Sequence, residues 1–231
     1  LHNEFVICSI FINPTQFNNE NDFNSYPKTI DEDISKLENI GCNALFLPDI
    51  QEIYPKGLAK KKIVNNFRNI LCDKFRPGHF DGVTTVVDLF FNMIKPTNSY
   101  FGEKDFQQVK IIQDLVKINH HNIKIIQCPS VRDKMGMSLS SRNSKFSNDQ
   151  LKIFNVLGNK IKEHINLLTQ NEINNLDQLK IELLQNNINK IDYLEIRNEN
   201  NLEITKNYSE ARLFIALYIG DIRIIDNFKL Y

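Results

Sequence analysis

The sequence predicts an α/β fold with a doubly wound parallel sheet, followed by a smaller α+β domain. Over residues 5–130, short β-prone runs alternate with amphipathic helical patterns, which is the order found in parallel α/β sheets. After Asn143 this alternation gives way to two helical patterns and then three β-prone runs. We therefore predict a first domain over residues 1–137 and a second over residues 138–231.

Strands and helices alternate in the first predicted domain. The predicted strands span residues 5–11, 44–47, 99–101 and 123–127, and the predicted helices span residues 30–41, 82–94 and 105–117. The run at residues 5–11 is continuously β-prone, so we expect it to be buried on both faces of the sheet. Thr29 and Glu32 have the spacing of a capping box at the start of the first helix.

The second predicted domain begins with a loop and a long helix. Ser147 and Gln150 have the spacing of another capping box. Apolar residues then recur on one helix face, at Phe154, Leu157, Ile161, Ile165 and Leu168. A shorter helix near residues 176–184 precedes predicted strands at 192–197, 213–219 and 222–225. Gly220-Asp221 is a favourable two-residue turn for a hairpin between the last two strands.

Composition limits the classes of function. The chain has 231 residues with 28 basic and 28 acidic side chains, so no net charge attracts nucleic acid or an anionic membrane. Local groups must therefore hold any anionic ligand, and small polar substrates fit better than polymers. No apolar run in the sequence has the length that crosses a bilayer.

The cysteines predict neither disulfides nor a metal centre. Cys8, Cys42, Cys72 and Cys128 lie far apart and form no C-x-x-C pair. Three of them lie in or next to apolar runs, where a free thiol behaves as a small hydrophobic side chain. This pattern predicts reduced, structural thiols in a cytoplasmic protein. No histidine joins them in a zinc-ligand pattern, so structural zinc is not expected.

The segment Gly-Glu-Lys-Asp at residues 102–105 lies where a predicted strand ends and a helix begins. Ligands of parallel α/β sheets bind beyond the carboxyl ends of the strands, and a helix N-terminus favours phosphate. Lys104 offers a positive charge to phosphate, and Asp105 offers an acceptor to a ribose hydroxyl. Gln108 is predicted to share a helix face with Lys104, whereas Gln107 points elsewhere. On its own, the segment also fits a capped helix start.

Residues 138–143 form a loop that is rich in small side chains. Two hydroxyls, from Ser140 and Ser141, precede Arg142, whose guanidinium presents a fork of hydrogen-bond donors. This combination suits a polyphosphate and the charge that develops on a leaving group. A serine-rich linker with a surface arginine explains the same pattern if the loop is taken alone.

Two turn segments precede these along the chain. Asn-Pro-Thr-Gln-Phe at residues 13–17 follows the first strand, so we expect Gln16 at the same sheet edge as Gly102. There its amide can bind a hydroxyl or a carboxylate, although a simple turn also explains the segment. Arg-Pro-Gly-His-Phe at residues 76–80 contains His79, for which a ligand contact and a structural role both stay open.

In this order, the four segments resemble those of the pantothenate synthetases, the pantoate–β-alanine ligase family. The resemblance covers nearly the whole chain. It implies a Rossmann-like domain of the nucleotidyltransferase type, a mobile phosphate loop around Arg142, and a cytosolic homodimer. It also implies the reaction: ATP with Mg2+ activates pantoate as pantoyl adenylate and releases pyrophosphate, and β-alanine then displaces AMP to give pantothenate.

The resemblance also assigns roles to individual residues. It implies that Gln16 contacts both pantoate and β-alanine and that Gln108 contacts pantoate. Arg76 and His79 are second-tier candidates beside the substrate pocket. The implied ATP contacts are Gly102, Glu103, Lys104, Asp105, Val131 (near adenine), Leu139, Ser140, Ser141 and Arg142. Of these, the implied catalytic residues are Lys104, Ser140, Ser141 and Arg142.

One family motif, His-x-Gly-His, does not occur in this sequence, and we expect it to precede Leu1. Two other hypotheses stay open. The first is a catalytically impaired fragment that keeps the fold and part of the nucleotide site. The second is a related nucleotidyltransferase such as a cytidylyltransferase, against which Gln16, Gln108 and the second domain argue.

Overall fold

The computed structural model describes residues 5–57, 60–170 and 176–231. The chain divides into two compact units. The first unit comprises residues 1–64 and 77–96, and the second comprises residues 65–76 and 97–231. The predicted functional domains, 1–137 and 138–231, stay a prediction.

Every predicted helix and strand has a counterpart in the structure. The strands are β1 Ile7–Ser9, β2 Ala44–Phe46, β3 Asn98–Gly102, β4 Lys124–Cys128, β5 Lys190–Asn198, β6 Ala211–Ile219 and β7 Ile222–Lys229. The helices are α1 Glu20–Asn24, α2 Ile30–Asn39, α3 Ile50–Ile53, α4 Leu71–Phe75, α5 His79–Ile94, α6 Phe106–Asn119, α7 Asn148–Thr169 and α8 Asp177–Gln185. The helices that the sequence did not predict, α1, α3 and α4, have only five, four and five residues.

In the first unit, the parallel strands β1 and β2 pack against α5. Ile7 lies opposite Ala44 in the register of the pair. The ring of Phe90 on α5 meets Phe11 and Phe46 edge-on, with centroid distances of 6.0 and 5.4 Å. Phe5 at 63% and Ile7 at 41% exposure show that burial of residues 5–11 on both faces was a wrong prediction.

The two predicted capping boxes have different outcomes. Thr29 precedes α2 without capping it, because its hydroxyl instead donates to the Asp33 carboxylate over 3.1 Å. The box at α7 is confirmed: Ser147 accepts from the Gln150 backbone N–H, and the Gln150 side chain accepts from the Ser147 backbone N–H.

In the second unit, β3 and β4 form a parallel pair joined by α6. Asn98 lies opposite Lys124, and Gly102 lies opposite Cys128. One face of α6 is fully buried, with Val109 and Ile112 both at 0% exposure. The predicted α/β class is therefore confirmed by βα units with parallel strand pairs.

The predicted α+β region also belongs to the second unit. Strands β5, β6 and β7 form an antiparallel sheet in that order, and Ile219 pairs with Ile222 across the predicted Gly220-Asp221 turn. The core formed with α7 and α8 includes Phe154, Leu157, Ile161, Leu168, Leu179, Leu183, Leu213, Ile215 and Leu217. Within the described ranges, no helix combines the length and apolarity that a membrane span requires.

Candidate functional site

The turn that carries Gln16 is fixed by Asn13, whose side chain is only 1% exposed. Asn13 Oδ1 accepts hydrogen bonds from the hydroxyls of Thr15 and Tyr54, each over 2.9 Å. Asn13 Nδ2 donates to the Gly82 carbonyl over 3.1 Å and to Gln16 Oε1 over 3.3 Å. The Gln16 amide oxygen therefore faces Asn13, and the NH2 group of Gln16 lies on the opposite side of the same amide.

The start of α5 supports the same turn. His79 is 8% exposed, and its Nδ1 lies 2.9 Å from the backbone oxygen of Gln16. Gly82, one turn along, lies so close that a Cβ atom there would be 2.5 Å from the Thr15 oxygen. The structure thus gives His79 a contact with the turn, and it brings Gln16 and His79 together within the first unit.

In the second unit, residues 102–105 connect β3 to α6; we call them the Lys104 segment. Residues Glu103–Asp105 form a single 3-10 turn. Asp105, with φ −94° and ψ 55°, interrupts the helical path, and its side chain is exposed and caps neither the turn nor α6. Lys104 and Gln108 therefore lie in separate helical pieces, so the prediction that they share a face of one helix was wrong.

The adjacent glutamines of α6 have different environments. Gln107 is 5% exposed; it accepts from the Cys72 N–H over 2.9 Å and donates to the carbonyls of Phe67 and Ile70 over 2.8 and 3.0 Å. Gln108 is half-buried. Gln107 therefore points elsewhere than Gln108, as predicted, and the structure gives it a structural role.

Residues 131–139, which we call the Val131 loop, form a tight hairpin. The Leu139 N–H donates to the Val131 carbonyl over 2.9 Å, and the Asp133 carboxylate accepts from the N–H groups of Met135 and Met137, each over 2.9 Å. Val131 is 70% exposed and Leu139 is 53% exposed. A loop with internal hydrogen bonds thus presents two apolar side chains to solvent.

The predicted Ser-Ser-Arg loop contains a 3-10 turn over Ser141–Lys145. Ser140 caps this turn, since its Oγ accepts from the Arg142 N–H over 3.2 Å. The Ser141 side chain is exposed and that of Arg142 is half-buried. The hydroxyl of Ser140 can still donate a hydrogen bond while its oxygen accepts one.

Strand β7 holds the Val131 loop through Asp226, whose side chain is 0% exposed. Its carboxylate accepts from the Ser138 N–H over 2.7 Å and from Arg132 over 3.1 Å. Arg132 also donates to the Asn227 carbonyl over 2.7 Å and stacks on the ring of Phe228. The carboxylate is buried but compensated by a guanidinium and a backbone donor.

The next residue of β7, Asn227, holds the Lys104 segment. Its NH2 group donates to the carbonyls of Glu103 and Lys104 over 2.8 and 3.0 Å, and its oxygen accepts from Arg212 over 2.6 Å. Arg212 is 1% exposed, and it also pairs with the carboxylates of Glu103 and Glu199. Two segments that the sequence singled out are thus bound by adjacent residues of one strand.

The pKa of Glu103 reflects this network. Burial alone would raise it, but hydrogen bonds from Gln127 and Arg212 and the charge of Arg212 outweigh burial and hold the pKa below its ordinary value. The folded protein therefore favours the ionised carboxylate more than the unfolded chain does. The resulting stabilisation is present above the unfolded pKa of about 4.3 and is lost as pH falls through the lowered pKa.

We expect Glu103→Gln to lower the free energy of unfolding near neutral pH and to have less effect in acid. The wild-type carboxyl becomes neutral in acid, so the difference between the two proteins should shrink as pH falls below the unfolded pKa of about 4.3 and through the lowered pKa of the folded protein. Urea unfolding across this range measures the difference. Glu38→Gln, at an exposed position on α2, is the control for the charge change. A Glu103→Gln difference that stays constant with pH would contradict the assignment.

Sequence reasoning missed the residues that support these segments: Asn13, Gln127, Arg132, Arg212, Asp226 and Asn227. A signal was present for three of them. Arg212 interrupts the apolar run of β6, and Asp226 and Asn227 interrupt β7. Buried polar residues inside apolar strands require partners, and they therefore point to a network.

The described residues contain no group of three or more histidine, cysteine, aspartate or glutamate side chains that could hold a metal. All four cysteines have free thiols in the structure. Arg76 ends α4 by donating its N–H to the Cys72 carbonyl over 2.8 Å. It belongs to the second unit, whereas His79 of the same sequence segment belongs to the first.

The fold and these polar segments define the class of α/β proteins that bind small ligands beyond the carboxyl ends of parallel strands. A family model described as pantoate-beta-alanine ligase matches residues 1–229. The chain belongs to the pantoate–β-alanine ligase family. This finding confirms the family that the four sequence segments indicated.

Individual relatives agree with this assignment. The pantothenate synthetase of Legionella pneumophila (strain Lens) is 38% identical over 231 residues, covering 99% of this chain and 82% of the relative. That of Francisella tularensis subsp. novicida (strain U112) is 42% identical over 227 residues, covering 98% of this chain and 79% of the relative.

Two solved structures have the same fold. Pantothenate synthetase from Thermus thermophilus has a TM-score of 0.90 at 32% identity, covering 99% of this chain and 84% of that chain. Pantoate-beta-alanine ligase from Francisella tularensis, described as complexed with beta-gamma ATP and beta-alanine, has a TM-score of 0.85 at 39% identity. The latter alignment covers 99% of this chain and 80% of that chain.

Proposed function

We propose that this chain condenses pantoate with β-alanine at the expense of ATP to give pantothenate. One observation carries the proposal: the match to the pantoate–β-alanine ligase family over residues 1–229. The Francisella tularensis relative, described as complexed with an ATP compound and β-alanine, supports the substrate class. The chain retains the four polar segments on which the resemblance rests.

The reaction we propose has two steps. A pantoate carboxylate oxygen first attacks the α-phosphorus of ATP, and the bond to the bridging oxygen breaks, so that pyrophosphate leaves and pantoyl adenylate forms. The amine of β-alanine then attacks the acyl carbon, an amide bond forms, AMP leaves with the bonding electrons, and the nitrogen releases a proton. Binding the reactants together removes much of the entropic barrier, up to roughly 7–11 kcal/mol with good alignment.

We assign the triphosphate to Lys104 and Arg142. The Lys104 side chain is half-buried, and its segment is held through backbone carbonyls, which leaves the ammonium to act as a point charge. Arg142 adds a fork of donors for the charge that develops on the leaving pyrophosphate, with Ser140 and Ser141 donating from their hydroxyls. These roles need no covalent enzyme intermediate.

We assign the nucleoside to the Val131 loop and the start of α6. The exposed side chains of Val131 and Leu139 suit the faces of an adenine ring. The Asp105 carboxylate, which does not cap α6, suits a ribose hydroxyl. The Glu103 carboxylate is occupied by Gln127 and Arg212, so we propose that Glu103 contributes its backbone. A Cβ atom added at Gly102 would meet no other atom within 4 Å.

We assign the two acids to the glutamines. Gln16 is proposed to contact both pantoate and β-alanine, and Gln108 to contact pantoate. The orientation of the Gln16 amide, with its oxygen toward Asn13, supports this role because a carboxylate requires a donor. Arg76 and His79 stay second-tier candidates, and His79 is proposed to act by holding the Gln16 backbone.

Magnesium is proposed to enter with the nucleotide. Mg2+ usually keeps several waters and is held by substrate phosphates together with one or two carboxylates. Asp105 is exposed at the start of α6, and its carboxylate has two oxygens, so that one can meet this requirement while the other accepts from the ribose hydroxyl. When bound, the ion would neutralise phosphate charge. A homodimer and a cytoplasmic location also stay predictions.

We expect Gln108→Ala to weaken pantoate use and to leave the fold intact. The pantoate KM should rise by about tenfold or more, because a polar contact to the acid is lost, while the ATP KM and the melting temperature stay unchanged. Steady-state kinetics at varied pantoate concentration measure the effect. An unchanged pantoate KM would remove Gln108 from the site.

Gln107→Ala provides the matched comparison for Gln108→Ala. It leaves two carbonyls and one N–H without the partner that they have in the structure, at about 1–3 kcal/mol for each buried group. Its melting temperature should therefore fall clearly. The adjacent glutamines would then separate a substrate contact from a structural one.

Pyrophosphate release from the purified protein tests the proposed function. The assay contains ATP, magnesium and pantoate, with and without β-alanine. Pantoate-dependent release, with pantothenate formed only when β-alanine is added, supports the proposal. ATP binding without any release would instead support a catalytically impaired protein, and release with a different acceptor would support a related nucleotidyltransferase.

A further inference from the structure

Two adjacent residues of β7 hold the two segments that we assign to ATP. Asp226 and Asn227 are 3% and 2% exposed, and neither is among the residues that the family resemblance assigns. Asp226 binds the Val131 loop at the Ser138 N–H, and Asn227 binds the Lys104 carbonyl. Successive side chains of a strand point to opposite faces, so Asp226 and Asn227 hold the two segments on opposite faces of β7, and the strand backbone between them fixes how far apart the two contacts lie.

The orientation of the Asn227 amide follows from chemistry. Arg212 has only donors, so its contact of 2.6 Å must be with the amide oxygen. The carbonyls of Glu103 and Lys104 have only acceptors, so they must face the NH2 group. All three polar contacts are satisfied in one orientation, and the opposite orientation would satisfy none of them.

Arg212 is itself fixed, which makes Asn227 a firm support. Its guanidinium lies over the Phe106 ring at 4.5 Å from the centroid and pairs with the Glu103 carboxylate over 2.9 Å. Its Nε donates to Glu199. The Lys104 segment is therefore held through both its backbone and the Glu103 side chain.

Asp226 gives the Val131 loop a comparable support. One carboxylate oxygen accepts from Ser138 and Arg132, and the other accepts from the backbone N–H of Asn227 over 2.8 Å. Arg132 extends the contact by donating to the Gly136 carbonyl over 2.8 Å. The Asp226 carboxylate is thus hydrogen-bonded to the backbone of Asn227, the residue that holds the Lys104 segment.

We propose that Asn227 is a positioning residue for ATP, which holds the Lys104 segment at a fixed distance from the loop that Asp226 holds. This inference rests on the proposed function, because it assigns both segments to one nucleotide. A displacement of about 1 Å at such a contact can reduce activity by about 10²-fold even though the residue never touches the reacting atoms.

Asn227→Asp tests this role with a side chain of the same shape. The carboxylate keeps an acceptor for Arg212 and gains a charge that pairs with it, but it presents oxygen to the carbonyls of Glu103 and Lys104. We expect a folded protein whose dissociation constant for ATP–magnesium, measured by calorimetry, rises about 10- to 100-fold. The KM for ATP should rise as well, while the pantoate KM changes by less than about twofold.

Hydrogen exchange adds a local readout. In Asn227→Asp, the amides at the start of α6 should exchange faster, because the segment that precedes them loses its donors. Asn198→Asp is the matched control on β5. Its side-chain oxygen already accepts from the N–H groups of Asn200 and Asn201, so the same change in charge removes no donated contact.

The outcomes separate this inference from the proposed function. If wild-type protein binds ATP but releases no pyrophosphate with pantoate, the proposed function fails, and weaker ATP binding by Asn227→Asp still supports the positioning role. Unchanged ATP affinity in Asn227→Asp, or no ATP binding by wild type, overturns the inference. Asn227→Ala, which adds no charge, replaces Asn227→Asp if the latter fails to fold. Loss of folding in both variants would also overturn it, because Asn227 would then serve the fold alone.

Discussion

Lys104→Ala and Arg142→Ala should each reduce adenylate formation by about 10²–10³-fold while the protein stays folded. Both side chains are proposed to neutralise charge on the phosphates, and charge stabilisation in a preorganised site is commonly the largest single contribution to such a reaction. Pantoate-dependent pyrophosphate release in the absence of β-alanine measures this step directly.

The structure explains why Lys104→Ala should not unfold the protein. Asn227 holds this segment through the backbone carbonyls of Glu103 and Lys104, which the substitution leaves in place. Arg142→Ala similarly keeps the hydrogen bond to Ser140 Oγ, because the donor is the backbone N–H of residue 142. The circular dichroism and melting temperature of Lys104→Ala should therefore match those of the wild type, and Arg142→Ala should keep the circular dichroism of a folded protein.

Lys180→Ala is the control for loss of a positive charge. Lys180 is exposed on α8, outside the segments assigned to the substrates, and its substitution should leave pyrophosphate release within about twofold of the wild type, as for most surface changes. Full activity in Lys104→Ala or Arg142→Ala would remove that residue from the reaction. Equal losses in all three variants would indicate only a general effect of charge.

The sequence was sufficient for the type and order of most elements, because that information is local. The apolar periodicity of α7 and its capping box at Ser147 and Gln150 involve residues within a few turns of one another. The start of α5 was predicted three residues late, at Gly82, since His79 does not continue the apolar pattern. Here Gly78, in the left-handed conformation with φ 78°, sets the helix start.

The site was accessible from sequence only in part. The polar segments stand out because they combine turn residues with charged side chains at element ends. The residues that hold these segments do not stand out in the sequence. Asn227 contacts Glu103 and Asp226 contacts Ser138, but the two residues of each pair lie far apart along the chain, and no local pattern connects them. Such contacts depend on how β7 packs in the folded second unit. Only a polar interruption of an apolar strand, as at Arg212, Asp226 and Asn227, reveals that a buried partner must exist.

Gly82→Ala should have the second large effect, through the turn that carries Gln16. A Cβ atom at residue 82 would lie 2.5 Å from the Thr15 oxygen and 2.8 Å from the Gln16 nitrogen, which are backbone atoms without rotamer freedom. Either α5 or the turn must move, at a cost of about 1–3 kcal/mol for overpacking. We expect a lower free energy of unfolding and, because Gln16 is displaced, a loss of pantoate use of about 10²-fold.

Gly102→Ala is the matched control, because the same methyl group there meets no atom within 4 Å and the backbone φ of −69° suits any residue. Its melting temperature should equal that of the wild type. Any loss of activity in Gly102→Ala would then report a ligand that occupies this space, with ATP rather than pantoate kinetics affected. If Gly82→Ala kept full stability and a normal pantoate KM, the close approach of α5 to Thr15 would not be what places Gln16.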